Sequence, residues 1–410
     1  MKKLLFLICL LIPITTLALD LPDVNSKVVE IYDLTDKKVL YDVNANDVVS
    51  IASLTKIATT ITALENIENL DEEVTITSEI LRTVSWEASV AGLRAGDRLT
   101  YRDLLYASML PSGADATNSL AILSSGSIDA FVEKMNNLAS RLGLEHTHFV
   151  NVTGLDIEGH YSTADEVRRL LEYALENPTF REIYTTKEYT LSNGKVVKSS
   201  IFNYNRSNGI NTDLILGGKT GFTLEAGYCL ATLSNINGHE VLILVLKADK
   251  GNGVFYHVVD TGKLIDFMNA NYRYEILFEK DQLVKEIPVK LSDIDMYSIY
   301  SKQDVIKYLP SDFDREKLEI KYDGADSLDF NNHEGDSIGI VSYYYDGELI
   351  IKQDVILDKK INLNIKKVIK KYLVYIIILG VILLFILILF IVFVVYGIKI
   401  KRKRKKNKKK

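Results

Sequence analysis

Ile51-Ala52-Ser53-Leu54-Thr55-Lys56-Ile57-Ala58-Thr59-Thr60 is the stretch on which the reading of this chain turns. Leu54, Ile57, Ala58, Ile61 and Leu64 recur at helical spacing, which predicts a buried amphipathic helix with Ser53 near its amino end. Residues three apart share a helix face, so Lys56 is placed to reach the Ser53 hydroxyl. A lysine takes a proton from serine only as the free amine, and burial or a second cation lowers its pKa far enough to supply one. Ser53 therefore reads as a nucleophile and Lys56 as its base, with the amides of the first turn facing a developing oxyanion.

Serine and lysine are common, and a Ser-x-x-Lys match alone is weak. The chain supplies its own control in Ser192-Asn193-Gly194-Lys195, where Asn-Gly reads as a turn that cannot align the two side chains. Two further stretches decide the matter. A short helix predicted over Tyr101–Met109 ends at Pro111-Ser112-Gly113-Ala114-Asp115, a turn able to present a hydroxyl to a cleft. Gly217-Gly218-Lys219-Thr220-Gly221 lies just upstream of two strand-like runs, 228–234 and 240–246, joined around Asn237-Gly238, a strong hairpin signal. If the Lys-Thr-Gly run edges that hairpin, its glycines let a ligand approach the backbone and Lys219 adds a fixed charge.

Around these motifs the chain divides by its grammar. Residues 28–32 and 39–43 flank the polar turn Thr35-Asp36-Lys37-Lys38 and predict a hairpin ahead of the Ser53 helix. Amphipathic helices are expected over 128–142 and 163–176, the second ended by Asn177-Pro178, so that a helical block precedes the strands. The single tryptophan, Trp86, is expected in the core. Beyond residue 275 short β-rich runs alternate with polar turns, including 338–345 and 348–356 around Asp346-Gly347, and bring no new catalytic cluster.

The two ends stand outside these domains. Met1-Lys2-Lys3, an apolar run over 4–14 and Thr16-Leu17-Ala18 read as a secretory leader spanning 1–18. Residues 372–398 are 27 positions without a charge, long enough to cross a bilayer. Ten basic residues follow over 399–410, which by the positive-inside rule puts that tail in the cytoplasm and the domains outside. Without the leader and the tail, 37 bases face 54 acids, about −17, which argues against nucleic acid as a partner. Cys9 goes with the leader and Cys229 is the one cysteine left, so no internal disulfide forms in the mature chain. The six histidines show no ligand spacing, and neither a metal nor another cofactor is expected.

The order Ser53-x-x-Lys56, Ser112-Gly113-Ala114, Lys219-Thr220-Gly221 is that of the penicillin-binding proteins and class A β-lactamases. Over 27–274 the chain resembles the low-molecular-weight penicillin-binding proteins that are D-alanyl-D-alanine carboxypeptidases. The likeness extends to Gly154-Leu155, Gly159-His160-Tyr161-Ser162-Thr163-Ala164 and Lys219-Thr220-Gly221-Phe222-Thr223 before Ala226-Gly227-Tyr228.

The resemblance implies an α+β, β-lactamase/transpeptidase-like domain over 19–274, an antiparallel sheet with a helical block. A small all-β domain over 275–365 and a transmembrane helix over 372–398 complete the plan. It further implies Ser53 as acylating nucleophile, Lys56 as base, Ser112 as proton relay and Lys219 as electrostatic partner. Thr220 would help bind the substrate carboxylate beside Gly221, and the amides of Ser53 and Phe222 would form the oxyanion hole. The expected activity is removal of the terminal D-alanine from peptidoglycan peptides ending in D-Ala-D-Ala, by an enzyme held on the outer face of the cell membrane. β-Lactam antibiotics would be covalent inhibitors. The family's second motif usually ends in asparagine, and Ala114 stands there instead. That departure keeps open a catalytically weak wall-binding protein, and the shared chemistry keeps open a β-lactamase. The β domain and anchor disfavour the latter. His160 is expected to be structural, because a serine–lysine pair needs no histidine base.

Overall fold

The computed structural model of the chain describes residues 21–202, 210, 212–249, 251 and 253–407. The expected leader, 1–18, and the last three residues of the basic tail lie outside these. Two compact units result, one running through Tyr274 and including Tyr308–Ser311, the other made of Glu275–Lys307 and the residues from Asp312 onward.

The first unit is built on a five-stranded antiparallel sheet. Its strands lie in the order Lys38–Val43, Val28–Asp33, His239–Ala248, Gly227–Ile236 and Ile215–Thr223. The middle strands are apolar on both faces because both are covered. Val28, Leu242, Leu244 and Leu246 join the core beneath the helical block. Their alternating neighbours Val29, Val241, Ile243 and Val245 join a second core with Val258, Leu264, Ile265 and Met268 of the helix Tyr256–Asn271. The turn between the last two strands has Asn237 at φ 51° and Gly238 at φ 89°, the doubly left-handed turn that an Asn-Gly pair accepts at little cost.

The helix Thr55–Asn66 is the axis of the helical block, and every residue from Thr55 to Ala63 is buried. It is therefore enclosed all round, not amphipathic with one wet face. Thr55 and Thr59 are hydrogen-bonded in the interior, Thr59 Oγ1 donating to the Val152 carbonyl at 2.8 Å, whereas the buried hydroxyls of Thr60 and Thr62 have no partner among the described residues. Around it pack Tyr101–Met109, Ala114–Ser125, Ile128–Arg141, Ala164–Leu175 and Pro178–Thr185. Thr100 and Asp103 form a reciprocal capping box at the first of these. Asn177-Pro178, expected to stop a helix, starts one as well. Asn177 Oδ1 accepts from the amides of Thr179 and Phe180, and proline takes the first helical position, where no amide is needed. Trp86 corrects the expectation of core packing: it is 91% exposed, on the loop between the helix Ser78–Arg82 and the strand Arg98–Thr100.

In the second unit, Leu318–Gly324, Ser337–Tyr345 and Glu348–Ile356 form a three-stranded antiparallel sheet. Leu283–Pro288 and Met296–Tyr300 pair separately. The Asp346-Gly347 turn has both residues at positive φ, 51° and 79°. A helix follows over Ile365–Asn407, and among the described residues it alone is long and apolar enough to cross a membrane.

Candidate active site

Ser53 lies not inside the helix but in a tight turn, Ala52–Leu54, that leads into it. Ala52 there holds a left-handed backbone at φ 47°, an unfavourable conformation for a residue with a Cβ. The surrounding contacts account for its persistence. His160 is 5% exposed, and its Nδ1 accepts from the Val150 amide at 3.1 Å. With Nδ1 an acceptor, Nε2 is the protonated nitrogen and donates to Thr55 Oγ1 at 2.8 Å. Thr55 Oγ1 in turn donates to the Ala52 carbonyl at 2.8 Å. Burial pushes the His160 pKa down to about 4, so the ring stays neutral and serves as a strut for the serine turn.

Two glycines let the backbone close on that turn. A Cβ on Gly154, which has φ 86°, would meet the Ala52 carbonyl oxygen at 1.9 Å. A Cβ on Gly221 would stand 3.0 Å from both the Ser53 nitrogen and Ala52 Cβ, so glycine at 221 brings the sheet-edge strand Ile215–Thr223 against the serine. Lys219 and Thr220 thus sit within the strand rather than in a surface loop, with Phe222 half-exposed at the cleft.

The expected residues converge. Lys56 Nζ lies 3.0 Å from Ser53 Oγ and donates to the Thr153 carbonyl at 2.7 Å. Lys56 is 2% exposed, and desolvation lowers its pKa to about 7 against the opposing pull of the Asp115 charge. Lys219, fully buried, donates to Ser112 Oγ at 2.8 Å and to the Thr220 carbonyl at 2.7 Å. Burial first, and the Lys56 charge second, hold its pKa well below that of a free lysine. Ser112 carries a left-handed backbone at φ 62° and turns its hydroxyl toward this pair. A cleft of about 230 Å³ opens over Ser53, Ser112, Thr220 and Gly221.

Some working parts carried no motif. Thr153 supplies the carbonyl that anchors Lys56, and only its neighbour Gly154 stood out in the sequence. Ser200, in a plain Lys-Ser-Ser run, lines the cleft and hydrogen-bonds Thr220 Oγ1 at 2.6 Å. Asp115 does not stand in for the missing asparagine. Its carboxylate accepts from the amides of Ala91, Gly92 and Leu93 at 2.7–2.8 Å, tying down the loop that carries Glu87 and Ser89 into the cleft. Asp156 joins the two rims, accepting from Ser50 Oγ at 2.9 Å and Thr223 Oγ1 at 2.7 Å. Among the described residues one trio, Asp33, Asp36 and His239, has metal-ligand geometry; it lies on the central sheet and is not part of the cleft.

A buried lysine of lowered pKa against a serine hydroxyl, with a second lysine–serine pair across the cleft, is equipped for acyl transfer. Comparison with known proteins shows the family. Residues 15–250 match the family model described as D-alanyl-D-alanine carboxypeptidase, and residues 272–363 match that of the penicillin-binding protein 5 C-terminal domain. The D-alanyl-D-alanine carboxypeptidase DacF of Bacillus subtilis is 30% identical over 78% of this chain and 81% of its own length. A D-alanyl-D-alanine endopeptidase of Pseudomonas aeruginosa is 35% identical over 57% of this chain and 73% of its own. The crystal structure of penicillin-binding protein 5 from Haemophilus influenzae superposes with a TM-score of 0.60 at 24% identity. It covers 84% of this chain and all of that one, a likeness of fold.

Proposed function

This chain belongs to the D-alanyl-D-alanine carboxypeptidase family and is a low-molecular-weight penicillin-binding protein, a serine-type carboxypeptidase, and from that premise we propose that it trims D-Ala-D-Ala peptides through an acyl-enzyme on Ser53. The observation that carries this is the 3.0 Å approach of Lys56 Nζ to Ser53 Oγ, with the amine desolvated to a pKa of about 7. A neutral Lys56 accepts the serine proton as Oγ attacks the carbonyl carbon of the penultimate residue. The oxyanion is met by the backbone amides of Ser53 and Phe222. Collapse breaks the peptide bond, and the leaving amine takes a proton relayed through Ser112, whose hydroxyl is held by Lys219. Free D-alanine departs and an ester remains on Ser53. Water then attacks the ester with Lys56 again as base, which regenerates the serine.

The carboxylate of the departing residue belongs at Thr220 and Ser200, above Lys219. Two hydroxyls and a buried lysine favour an anion at that wall, and its fixed position sets the scissile bond against Ser53. β-Lactams, with their own carboxylate and strained amide, acylate the same serine. The apolar helix after Ile365 anchors the enzyme to the cell membrane with its domains outside and the basic tail in the cytoplasm. Stem peptides of the wall are the substrate.

Benzylpenicillin labelling and D-alanine release test this together. The protein labels covalently, Ser53→Ala does not, and a D-Ala-D-Ala peptide is cleaved much faster than its C-terminally amidated copy. Equal rates on the two peptides would refute carboxylate recognition. Ala114 favours a second reading, a penicillin-binding wall protein with little turnover, for which labelling would occur without release of D-alanine.

A further inference from the structure

At one end of the central sheet, two turns that lie far apart in the sequence meet. One joins Val28–Asp33 to Lys38–Val43, and the other joins Gly227–Ile236 to His239–Ala248. The strands Val28–Asp33 and His239–Ala248 are antiparallel neighbours, so the end of the first comes beside the start of the second. The Leu34 amide donates to the Glu240 carbonyl at 2.8 Å and the Glu240 amide to Thr35 Oγ1 at 3.0 Å, which fixes one turn against the other.

Asp33 and His239 are each 1% exposed. Asp33 Oδ1 accepts from the amides of Thr35 at 2.9 Å and Asp36 at 3.0 Å, and these bonds hold the carboxylate in place. Its other oxygen, Oδ2, stands 2.7 Å from His239 Nδ1. That distance suits a hydrogen bond but the direction does not, and neither ring nitrogen of His239 has a hydrogen-bond partner among the described residues. The imidazole packs on Tyr308, stacked at 4.0 Å between centroids, and on Tyr274 at 4.4 Å. The Tyr308 hydroxyl is itself buried without a partner, and burial first and the Asp33 charge second raise its pKa. Buried polar atoms left unsatisfied beside a buried carboxylate mark a place where another group belongs.

We propose that Asp33, Asp36 and His239 bind a divalent transition-metal ion of the zinc class, which clamps the two turns together. Asp36 stands exposed in the first turn, and one ligand atom from each of the three lies within 4.8 Å of the others. Zinc holds nitrogen and oxygen ligands at about 2.0–2.2 Å, which sets its ligand atoms roughly 3–4 Å apart, so an inward turn of the exposed Asp36 side chain completes the set. Two carboxylates balance the double charge, and an imidazole selects zinc and its neighbours over magnesium or calcium, which take oxygen ligands. Lys37, next in the chain, is drawn elsewhere, toward Glu172 and Glu176 at 3.7 and 3.8 Å. Water on the exposed side would fill the position that three protein ligands leave. No local spacing announces the site, because its ligands come from two separate hairpins. It shares no residue with the cleft, so the inference stands apart from the carboxypeptidase reading.

The test uses the detergent-solubilised full chain, freed of metal by EDTA and dialysed against zinc chloride. The parent is expected to retain one zinc ion per chain, and its melting temperature to rise with zinc but not with magnesium at the same concentration. Asp36→Ala, at an exposed position, and His239→Phe, which keeps the ring stacking and removes both nitrogens, should each weaken zinc binding by about tenfold or more. If His239→Phe fails to fold, as judged by its melting curve, Asp36→Ala decides alone. Absence of stoichiometric zinc in the parent, an equal melting shift with magnesium, or an affinity unmoved in the folded variants would overturn the proposal and leave Asp33 and His239 as an ion pair only.

Discussion

Lys56 shows how one buried side chain sets the chemistry. Among the described residues its ammonium meets the Ser53 hydroxyl and the Thr153 carbonyl and no carboxylate within hydrogen-bond reach, so desolvation dominates and its pKa falls to about 7. The free amine is the competent form, which gives the sign of the pH dependence: acylation of Ser53 by benzylpenicillin should rise with pH on a limb centred near 7. Lys219 also titrates low and is coupled to Lys56, so the measured midpoint belongs to the pair. Lys56→Arg keeps a cation that cannot deprotonate. It should slow acylation by about 10²–10⁴-fold and abolish the limb. Stopped-flow acylation between about pH 5 and 9 checks this; a pH-independent rate in the parent would remove Lys56 as the base.

At the scale of elements, the strand Val28–Asp33 carries a charge into the core. Glu30 is 1% exposed and faces Arg168 of the helix Ala164–Leu175, with Arg168 Nε donating to Oε1 at 3.1 Å while Oε2 has no partner. Burial outweighs the guanidinium, and the Glu30 pKa is raised from 4.5 to about 7. Between these values the folded chain holds a proton that the unfolded chain has released. This group's contribution to stability is therefore full at low pH and is lost as pH rises through about 7. Glu30→Gln removes the titration. Arg168 keeps Asp165 and Glu172, so the variant should gain on the order of 1 kcal/mol over the parent at pH 8 and far less at pH 5. Urea midpoints at the two pH values decide, and an equal difference at both would show that Glu30 stays ionised.

For the whole molecule, the apolar helix is the feature with the largest consequence. It has the length and composition to span a bilayer and begins only a few residues beyond the last strand, Glu348–Ile356. A chain ended before Lys366 should partition to the supernatant on ultracentrifugation and label with penicillin, while the full chain sediments with membranes. A truncated chain that still sediments would mean that something other than this helix holds it there.

What the sequence determined by itself was whatever depends on local spacing. Ser53 and Lys56 stand three residues apart at the start of a helix, Asn237-Gly238 turns a hairpin, and the uncharged run after Lys371 is long enough to cross a membrane, each legible within one continuous stretch of sequence. Family likeness supplied the order of motifs and with it the α+β plan. The helix Tyr256–Asn271 escaped the reading because its buried face carries His257, Asp260 and Thr261, which blur the apolar period. Trp86 was misplaced because size and apolarity favour the core, whereas Asp115 ties the adjoining segment at the rim. Only the tertiary structure decided which groups meet. It joined the Thr153 carbonyl to Lys56, and His160 through Thr55 to the strained Ala52. Such contacts link residues up to about a hundred positions apart, and their energy comes from burial, which no local pattern records.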